Sequence, residues 1–353
     1  MQGKKLLILL ANICLVVVLT VFMASWAAAE STKKEKIVWT FSQMPTGKHC
    51  DSSIFGEWLP QHLAEATGGQ LEFHAPIGLV AQAEVLESVR KGTIQGGLSG
   101  TPYCSGEWPL GSSHAIPGIL EADDEYPAIA DILYEYWGRS LRKKYNIQLL
   151  GVYHWPGIHL YCNEPIRTVE DFKGKKLRGM GYYDTLAFEE IGASGVYIPW
   201  DEAFLAMQRG VADGLVTGTV VYDSMGFWKY CKYIHKWPIH GRSCAAFMLV
   251  NGDTFDSLPD NLKPVVKKVF REAAEKIMLG NNAIVGESLK SLKERGCKVI
   301  EQSEEEIRKC LEMTKSVRTT WIEHCEKAGS PEAREMLEKI EAFLADYRAK
   351  KGK

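Results

Sequence analysis

Short apolar runs alternate with longer amphipathic stretches along the chain. The apolar runs predict strands at 37–41, 71–75, 94–99, 148–153, 158–162, 176–180, 196–199, 214–217 and 245–250. Helical periodicity predicts helices at 53–67, 84–91, 126–145, 184–191, 200–210 and 262–295, and a charged helical region from 301 that breaks near Gly329-Ser330-Pro331. Strands that alternate with helices indicate βαβ units, so we expect an α/β protein with mostly parallel sheets.

The N-terminus predicts export. Lys4 and Lys5 precede an apolar run from 6 to 26, and three alanines at 27–29 supply a small-residue cleavage site. We therefore assign residues 1–29 to a signal peptide and expect a periplasmic protein. Because the apolar run is long enough to span a bilayer, an uncleaved membrane anchor is the alternative.

Cleavage at this point leaves a chain of about 320 residues, which predicts two domains. It also removes two lysines and no acid, so the formal net charge of -2 becomes -4, and nucleic acid is not an expected partner. Eight cysteines remain and none forms a C-x-x-C pair, which leaves structural disulfides or buried thiols as interpretations. A Cys50–Cys104 disulfide is one hypothesis.

Motifs for catalysis, nucleotide binding or metal binding are incomplete. Gly97-Leu98-Ser99-Gly100-Thr101 has threonine where a nucleophile elbow has its second glycine, and there is no P-loop and no H-E-x-x-H. The histidines at 154, 159, 235 and 240 lack nearby acids or cysteines to complete a ligand set, so we interpret them as polar surface or cleft residues. We expect a protein that is not an enzyme and that has no cofactor and no metal.

One segment carries candidate binding chemistry. The sequence EDFKGKKLR at 170–178 runs from an acidic turn into a short strand that ends on Arg178. A guanidinium at a strand end matches a carboxylate in two parallel hydrogen bonds, so a small organic anion is the expected ligand. A solvated surface arginine beside Lys175 and Lys176 is the alternative.

A set of ordered segments identifies a family resemblance over nearly the whole mature chain. Besides 170–178, the segments are TGGQLEF at 67–73, EVLESVRKGTIQG at 84–96, IPGIL at 116–120, IGA at 191–193, AFLAMQRGVADG at 203–214 and LPDNL at 258–262. In order and spacing the chain resembles the extracytoplasmic solute-binding subunit of a tripartite ATP-independent periplasmic (TRAP) transporter, of the dicarboxylate-binding-protein (DctP) type.

The resemblance implies a two-lobed periplasmic-binding-protein fold with mixed, mostly parallel sheets. Crossing strands and a long connecting helix form the hinge. By analogy, lobe I comprises residues 30–155 plus 243–283, and lobe II comprises residues 156–242 plus 284–353 with the C-terminal helices. The ligand cleft is expected between the lobes, beyond the carboxyl ends of the strands.

The resemblance also implies site residues. The arginine that binds the ligand carboxylate corresponds to Arg178, and a pocket aromatic corresponds to Trp200, for which a packing role at the helix start is the alternative. A family asparagine is replaced by Thr217, and a second arginine of sialic-acid-binding members falls near Ile158. We add Thr101 to the candidate ligand-binding residues.

Aromatic residues and histidines complete the predicted pocket. Rings that could face the cleft are Tyr103, Trp108, Tyr153, Trp155, Tyr182, Trp200 and Tyr222, and His154 or His159 could add a donor. Of these we select Tyr103, Trp155, Tyr182 and His159 as further ligand-binding candidates. One arginine among rings predicts a monocarboxylate, aromatic or otherwise apolar-bodied, with a sulfonate as the nearest rival.

The expected partners are the small and large membrane subunits of such a transporter, which uses an ion gradient. The chain itself is expected to be a monomer. Two other functions stay open: a ligand-binding sensor component, and an exported serine hydrolase that uses Ser99.

Overall fold

The computed structural model describes residues 36–44 and 49–352. The predicted signal peptide at 1–29 lies outside these residues. In the described part, the strands are β1 (Ile37–Ser42), β2 (Leu71–His74), β3 (Gly96–Gly100), β4 (Ile147–Pro156), β5 (Ile158–Cys162), β6 (Lys176–Gly179), β7 (Ser194–Tyr197), β8 (Gly214–Gly218), β9 (Tyr233–His235), β10 (Ser243–Asn251) and β11 (Lys298–Ile300).

The α-helices connect and cover these strands. They are α1 (Asp51–Ser53), α2 (Leu59–Ala66), α3 (Val85–Arg90), α4 (Glu125–Tyr145), α5 (Tyr182–Glu190), α6 (Trp200–Gln208), α7 (Thr219–Ser224), α8 (Gly252–Asp256), α9 (Leu262–Glu294), α10 (Glu304–Met313), α11 (Ser316–Lys327) and α12 (Ala333–Lys351). A π-helical stretch, Ile54–Trp58, joins α1 to α2.

Two mixed sheets form the framework. The first sheet has the order β2-β1-β3-β10-β4, and the second has the order β11-β9-β5-β8-β6-β7. In the first sheet β10 is antiparallel to both neighbours, and in the second β5 is antiparallel to β8 and β9. The other pairings are parallel. The predicted α/β architecture with two mixed sheets is confirmed.

The chain crosses from one sheet to the other within a single extended segment. Strands β4 and β5 are separated only by Gly157, whose φ of 67° lies in the left-handed region that glycine adopts without strain. The amide of Gly157 donates to Asp123 Oδ1 at 3.0 Å, and its carbonyl accepts from the amide and hydroxyl of Thr219 at 3.0 and 2.7 Å. A second crossing leads from β9 to β10.

The long helix α9 spans both sheets. With 33 residues it is about 50 Å long, and it contacts β4 of the first sheet and α7, which follows β8 of the second. Its apolar residues recur on one face, and eleven of its residues are buried. The crossing strands and this helix match the hinge that the family resemblance implied.

The last helix packs on the first-sheet side. Arg348 pairs with Glu125 at the start of α4, with Nε to Oε1 at 2.6 Å, and the hydroxyl of Tyr136 donates to Glu335 at 2.6 Å. Helix α11 packs on the same side, because Trp321 Nε1 donates to the carbonyl of Pro109 at 2.8 Å. The division into lobes at 155, 243 and 283 remains a proposal: these contacts tie α11 and α12 to elements of lobe I, whereas Glu306 of α10 accepts from the amide of Val169 in lobe II at 2.7 Å.

The predicted elements overlap observed ones throughout, whereas the cysteine pairing is wrong. The eight described cysteines are free thiols. The Cys50 thiol donates to the carbonyl of Ile277 at 3.4 Å and to Asn281 Oδ1 at 3.2 Å, both on α9, while Cys104 is buried at the end of the 3-10 helix Thr101–Cys104. Buried thiols, the other interpretation of the cysteine pattern, fit the structure.

Candidate functional site

A cavity lies between the two sheets, where the crossing strands meet. Its volume is about 40 Å³ for a water-sized sphere, and about 460 Å³ when all the space between atoms up to the open solvent is counted. Strands of the first sheet and the segments that follow them contribute six lining residues: Met44, His49, Pro102, Tyr103, Trp155 and Cys244. The segment from β5 to α7 contributes seven: Ile158, Arg178, Met180, Trp200, Thr217, Gly218 and Val221. The lining is thus mostly apolar, with few polar groups, as is usual for small-molecule sites.

Among the described residues, Arg178 supplies the positive charge of this cavity. It is the third residue of β6, a strand paired on both sides, and its side chain is 1% exposed. Nε donates to the carbonyl of Ile198 at 3.0 Å and Nη1 to the carbonyl of Val216 at 3.1 Å. These two bonds fix the plane of the guanidinium. The alternative of a solvated surface arginine is therefore wrong.

The remaining terminal nitrogen of Arg178 is free to bind. Within the described residues, Nη2 has no hydrogen-bond partner and no carboxylate lies within ion-pair distance of the guanidinium. A buried positive charge without a counter-ion is costly, and an anion that bound to it would offset that cost. The geometry therefore suits capture of an anion.

Trp200 lines the cavity and also packs against a neighbouring ring. It is the first residue of α6, its ring lines the cavity, and the Cζ of Arg178 lies 6.0 Å from the ring centroid. Its opposite contact is the ring of Phe227, with centroids 6.0 Å apart. Packing against Phe227 holds the indole beside the guanidinium.

Two rings cover the first-sheet side of the cavity. Trp155 Nε1 donates to Asp51 Oδ2 at 3.1 Å, which fixes the orientation of the indole, and Tyr103 lies beside it. A Cβ at Gly100 would lie 2.9 Å from the Trp155 ring and 3.2 Å from the Tyr103 ring. The glycine at this position therefore makes room for both aromatic side chains.

The structure brings together five of the eight predicted site residues: Arg178, Trp200, Thr217, Trp155 and Tyr103 line the cavity. The other three lie elsewhere. His159 points to Arg242, whose Nη1 is 3.3 Å from Nδ1, and the Thr101 hydroxyl donates to the carbonyl of Ala245 at 3.3 Å beneath the cavity. Tyr182, the first residue of α5, is 47% exposed, and its ring is tilted against that of His324 with centroids 5.2 Å apart.

The other rings suggested for the cleft belong to the core. Trp108, Tyr153 and Tyr222 are at most 1% exposed and do not line the cavity. Tyr222 stacks on Tyr161 with centroids 3.6 Å apart, and Trp108 packs edge-on against Trp137. Tyrosine and tryptophan serve both cores and pockets, so sequence alone does not separate these roles.

The histidine pairs are buried rather than at the surface. His154 Nδ1 lies 2.8 Å from the hydroxyl of Ser243, and burial lowers its pKa to about 3. Burial likewise lowers the pKa of His159 to about 3 and that of His235 to about 4. His235 Nε2 accepts from the amide of Ile166 at 2.8 Å. These imidazoles are neutral structural groups.

Sequence reasoning missed His49, which lines the cavity from the segment after β1. Its side chain is 3% exposed, and neither ring nitrogen makes a hydrogen bond of ordinary geometry in the described part of the chain. Met44, Met180, Val221 and Cys244 were also missed. A lone histidine in a polar loop gives no periodic signal, so only the fold reveals its position.

Ser99 does not have the surroundings of a nucleophile. It is fully buried, and its hydroxyl donates to the carbonyl of Gln82 at 3.4 Å rather than to a histidine. Among the described residues, no group of three or more histidines, cysteines or acids is placed to hold a metal ion. Within the same residues, no helix has both the length and the apolar character needed to cross a membrane.

A family model supplies the decisive comparison. The model of DctP, bacterial extracellular solute-binding protein, family 7, matches residues 55–324. The chain belongs to this family. The resemblance to TRAP solute-binding subunits is thereby confirmed, and the known members are binding proteins for transport.

Individual relatives agree with this assignment. A monocarboxylate 2-oxoacid-binding periplasmic protein of Nostoc sp. is 26% identical over 270 residues, which cover 73% of this chain and 72% of the relative. A TRAP solute-binding protein of Haemophilus influenzae with bound L-gulonate superposes with a TM-score of 0.78 at 18% identity, covering 87% of this DctP-family chain and 100% of its own.

A third relative has a flat, ring-containing ligand. A TRAP solute-binding protein of Desulfovibrio salexigens with bound orotic acid gives a TM-score of 0.77 at 23% identity and covers 87% of this chain and 99% of its own. At such identities the two solved structures establish the shared two-sheet fold.

Proposed function

We propose that this DctP-family protein captures a small organic anion, a carboxylate with a flat or apolar body, in the cavity between its sheets. The observation that carries the proposal is the buried guanidinium of Arg178, held by two backbone carbonyls with Nη2 unpartnered in the described chain. A carboxylate that approaches Nη2 can accept a charge-assisted hydrogen bond from it, and the neighbouring Nη1 offers a second donor to the other oxygen.

The remaining lining supports an apolar-bodied ligand. Trp155, Trp200 and Tyr103 present ring surfaces, and Ile158, Met180 and Val221 present aliphatic ones. Such walls favour a ligand whose body loses little hydration on entry. The ligands named for the three relatives, a 2-oxoacid, L-gulonate and orotic acid, each carry a carboxyl group, and orotic acid also has a planar ring.

Transport follows from closure of the two lobes. The cavity draws its lining from both sheets, so a bound anion gains its full set of contacts only when the lobes are together, and binding shifts the population toward that state. The closed form would then deliver the ligand to small and large membrane subunits for uptake driven by an ion gradient, from a periplasmic location. The chain would carry out no chemistry.

Ligand binding to purified protein tests the proposal. The screen compares carboxylates, aromatic acids and sulfonates by thermal shift, since a ligand at a hundred times its dissociation constant stabilises the fold by about 2.7 kcal/mol. For about 320 residues with an unfolding entropy of about 2 cal/mol/K each, this raises the Tm by about 4 °C. Trp155 and Trp200 provide a fluorescence signal for titration.

Arg178→Met is the test variant, and the same substitution at solvent-exposed Arg209 is its matched control. We expect Arg178→Met to weaken carboxylate binding about 100-fold, since it removes a charged partner from a desolvated site. Arg209→Met should bind as the unmodified protein does. Undiminished binding by Arg178→Met would show that another group holds the anion, and a preference for sulfonates would change the ligand class.

A further inference from the structure

A second unpartnered polar side chain faces the cavity that holds Arg178. His49 is 3% exposed, and neither Nδ1 nor Nε2 makes a hydrogen bond of ordinary geometry within the described chain, although the Asn281 side chain lies close enough to interact with the ring. Buried polar side chains in native proteins are nearly always hydrogen bonded. Two such side chains in one cavity, the charged Arg178 and the uncharged His49, indicate that the ligand supplies a hydrogen-bond partner to each.

His49 is positioned from the first sheet, whereas Arg178 belongs to the second. His49 follows β1 and precedes α1, and its ring lies edge-on to Trp155 with centroids 6.5 Å apart. Trp155 is in turn fixed by its hydrogen bond to Asp51. The imidazole is therefore held by packing on the side of the cavity formed by the first sheet.

The imidazole of His49 is uncharged near neutral pH. Burial lowers its pKa, and the nearby Asp51 carboxylate and Asn281 amide oppose this shift without reversing it. A neutral imidazole has one N–H donor and one acceptor nitrogen. It is suited to a hydroxyl, carbonyl or amide of a ligand, and it supplies no charge to balance a second carboxylate.

The charges in the lining also favour a ligand with a single carboxylate. Of the described residues that line the cavity, Arg178 is the only lysine or arginine, and the carboxylate nearest to His49, that of Asp51, is itself negative. A second carboxylate placed among them would be desolvated without a counter-ion, which is strongly unfavourable. One full negative charge is the most that the described part of this lining can balance.

We propose that His49 selects the ligand: the site takes a monocarboxylate that carries a second, uncharged polar group bonded to His49, and it rejects dicarboxylates of the same length. The inference rests on the proposed function, because it assumes that the ligand carboxylate binds Arg178. The inference specifies the chemical class of the second polar group of the ligand, and it names His49 as the residue that binds this group.

Two matched probe series test this selection by fluorescence titration. The aliphatic series is pentanoate, 4-oxopentanoate, 2-oxopentanoate and pentanedioate, and the ring series is benzoate, 3-hydroxybenzoate, 4-hydroxybenzoate and isophthalate. We expect at least one oxo or hydroxy monoacid to bind about three- to tenfold more tightly than its parent, as one neutral hydrogen bond would give. Each dicarboxylate should bind about 100-fold more weakly than that monoacid.

His49→Phe tests the residue, because it keeps a ring and removes both nitrogens. The oxo or hydroxy monoacid should fall to the affinity of its parent, while the parent keeps its own affinity. His49→Gln, which retains a donor and an acceptor, should preserve part of the preference. His74→Phe, at an exposed histidine, is the matched control and should alter none of these affinities.

The outcomes separate this inference from the proposed function. If the monoacids bind in an Arg178-dependent manner but His49→Phe lowers all affinities equally or leaves the preference intact, the role of His49 is refuted and the carboxylate site stands. The role of His49 is also refuted if a dicarboxylate binds as tightly as the oxo or hydroxy monoacid. It is likewise refuted if, in both series, the parent acid binds as tightly as its oxo or hydroxy derivatives. If no carboxylate of either series binds the unmodified protein, the proposed function fails and the inference with it.

Discussion

Gly157 is the single residue between the two strands that cross from one sheet to the other, and its replacement by alanine should be unusually destabilising. Its φ is 67°, so a side chain meets conformational strain of about 1–2 kcal/mol. In addition, a Cβ would lie 3.0 Å from Thr219 Oγ1 and 3.0 Å from Val285 Cγ1, a side chain of the long helix α9.

The chain contains a control with the same backbone conformation. Gly210 also has a φ of 67°, but it is exposed, and within the described structure nothing lies within 4 Å of the point that a Cβ would occupy. Alanine at 210 therefore carries only the conformational strain, about 1–2 kcal/mol. Crowding at 157 adds about 1–3 kcal/mol, as is typical when a well-packed site receives an extra methyl group.

Urea unfolding followed by tryptophan fluorescence measures the difference. We expect Gly157→Ala to lose about 1–3 kcal/mol more unfolding free energy than Gly210→Ala, which corresponds to a Tm lower by about 2–4 °C for a chain of this length. Both variants should keep the same urea dependence, since neither changes the surface exposed on unfolding. Equal losses in the two variants would refute the argument that the crossing is tightly packed.

Three further predictions concern closure, acid stability and thiols. A Cβ at Gly181 would lie 3.0 Å from the carbonyl of Pro102 on the opposite side of the cavity, so Gly181→Val should weaken carboxylate binding about tenfold or more by titration; unchanged affinity would mean that this contact does not limit closure. Because the pKa values of His154 and His159 are about 3 in the fold and about 6.5 in the unfolded chain, the unfolded chain binds more protons between these limits, and stability falls on acidification by about 1.4 kcal/mol per pH unit for each histidine. Between pH 7 and 5, where the unfolded imidazole becomes protonated, the unfolding free energy from urea titrations should change by about 1 kcal/mol per pH unit less in His154→Gln, and an unaltered pH dependence would contradict the assignment. Thiol reagents should label the native protein slowly, because even the half-buried Cys50 has its pKa raised to about 11, mainly by burial. A reductant should leave the Tm unchanged, since the described cysteines are free thiols. A Tm lowered by reductant would indicate a disulfide.

The sequence predicted most of the framework because hydrophobic periodicity reports which positions are buried. Strand β10 is buried at every position and was found from its apolar run alone. The three-residue strands β9 and β11 were not predicted, because they are too short for a period to show. Helix α7 was missed for a different reason: its Thr-Val-Val start favours strands, and tertiary packing overrides that preference.

The candidate site was predictable where one residue has one plausible role. Arg178 is the third residue of the short strand β6, and the family resemblance singled it out through its sequence context at 170–178. Tyr182 was misplaced because the direction of a side chain depends on helix phase, which the sequence does not specify at a helix start. His49 gave no signal, since its place in the cavity results from the meeting of two distant segments.

The central position of β10 has a consequence for the order in which the molecule can assemble. Ala246 of β10 pairs with Gly100 on one side and with Tyr153 on the other, so β4 joins the first sheet only through a strand that comes about 90 residues later in the chain. During synthesis from the N-terminus, the first sheet cannot form completely before β10 has been made. Until residue 251 is available, β3 keeps an open edge, so we expect N-terminal fragments that end before β10 to aggregate.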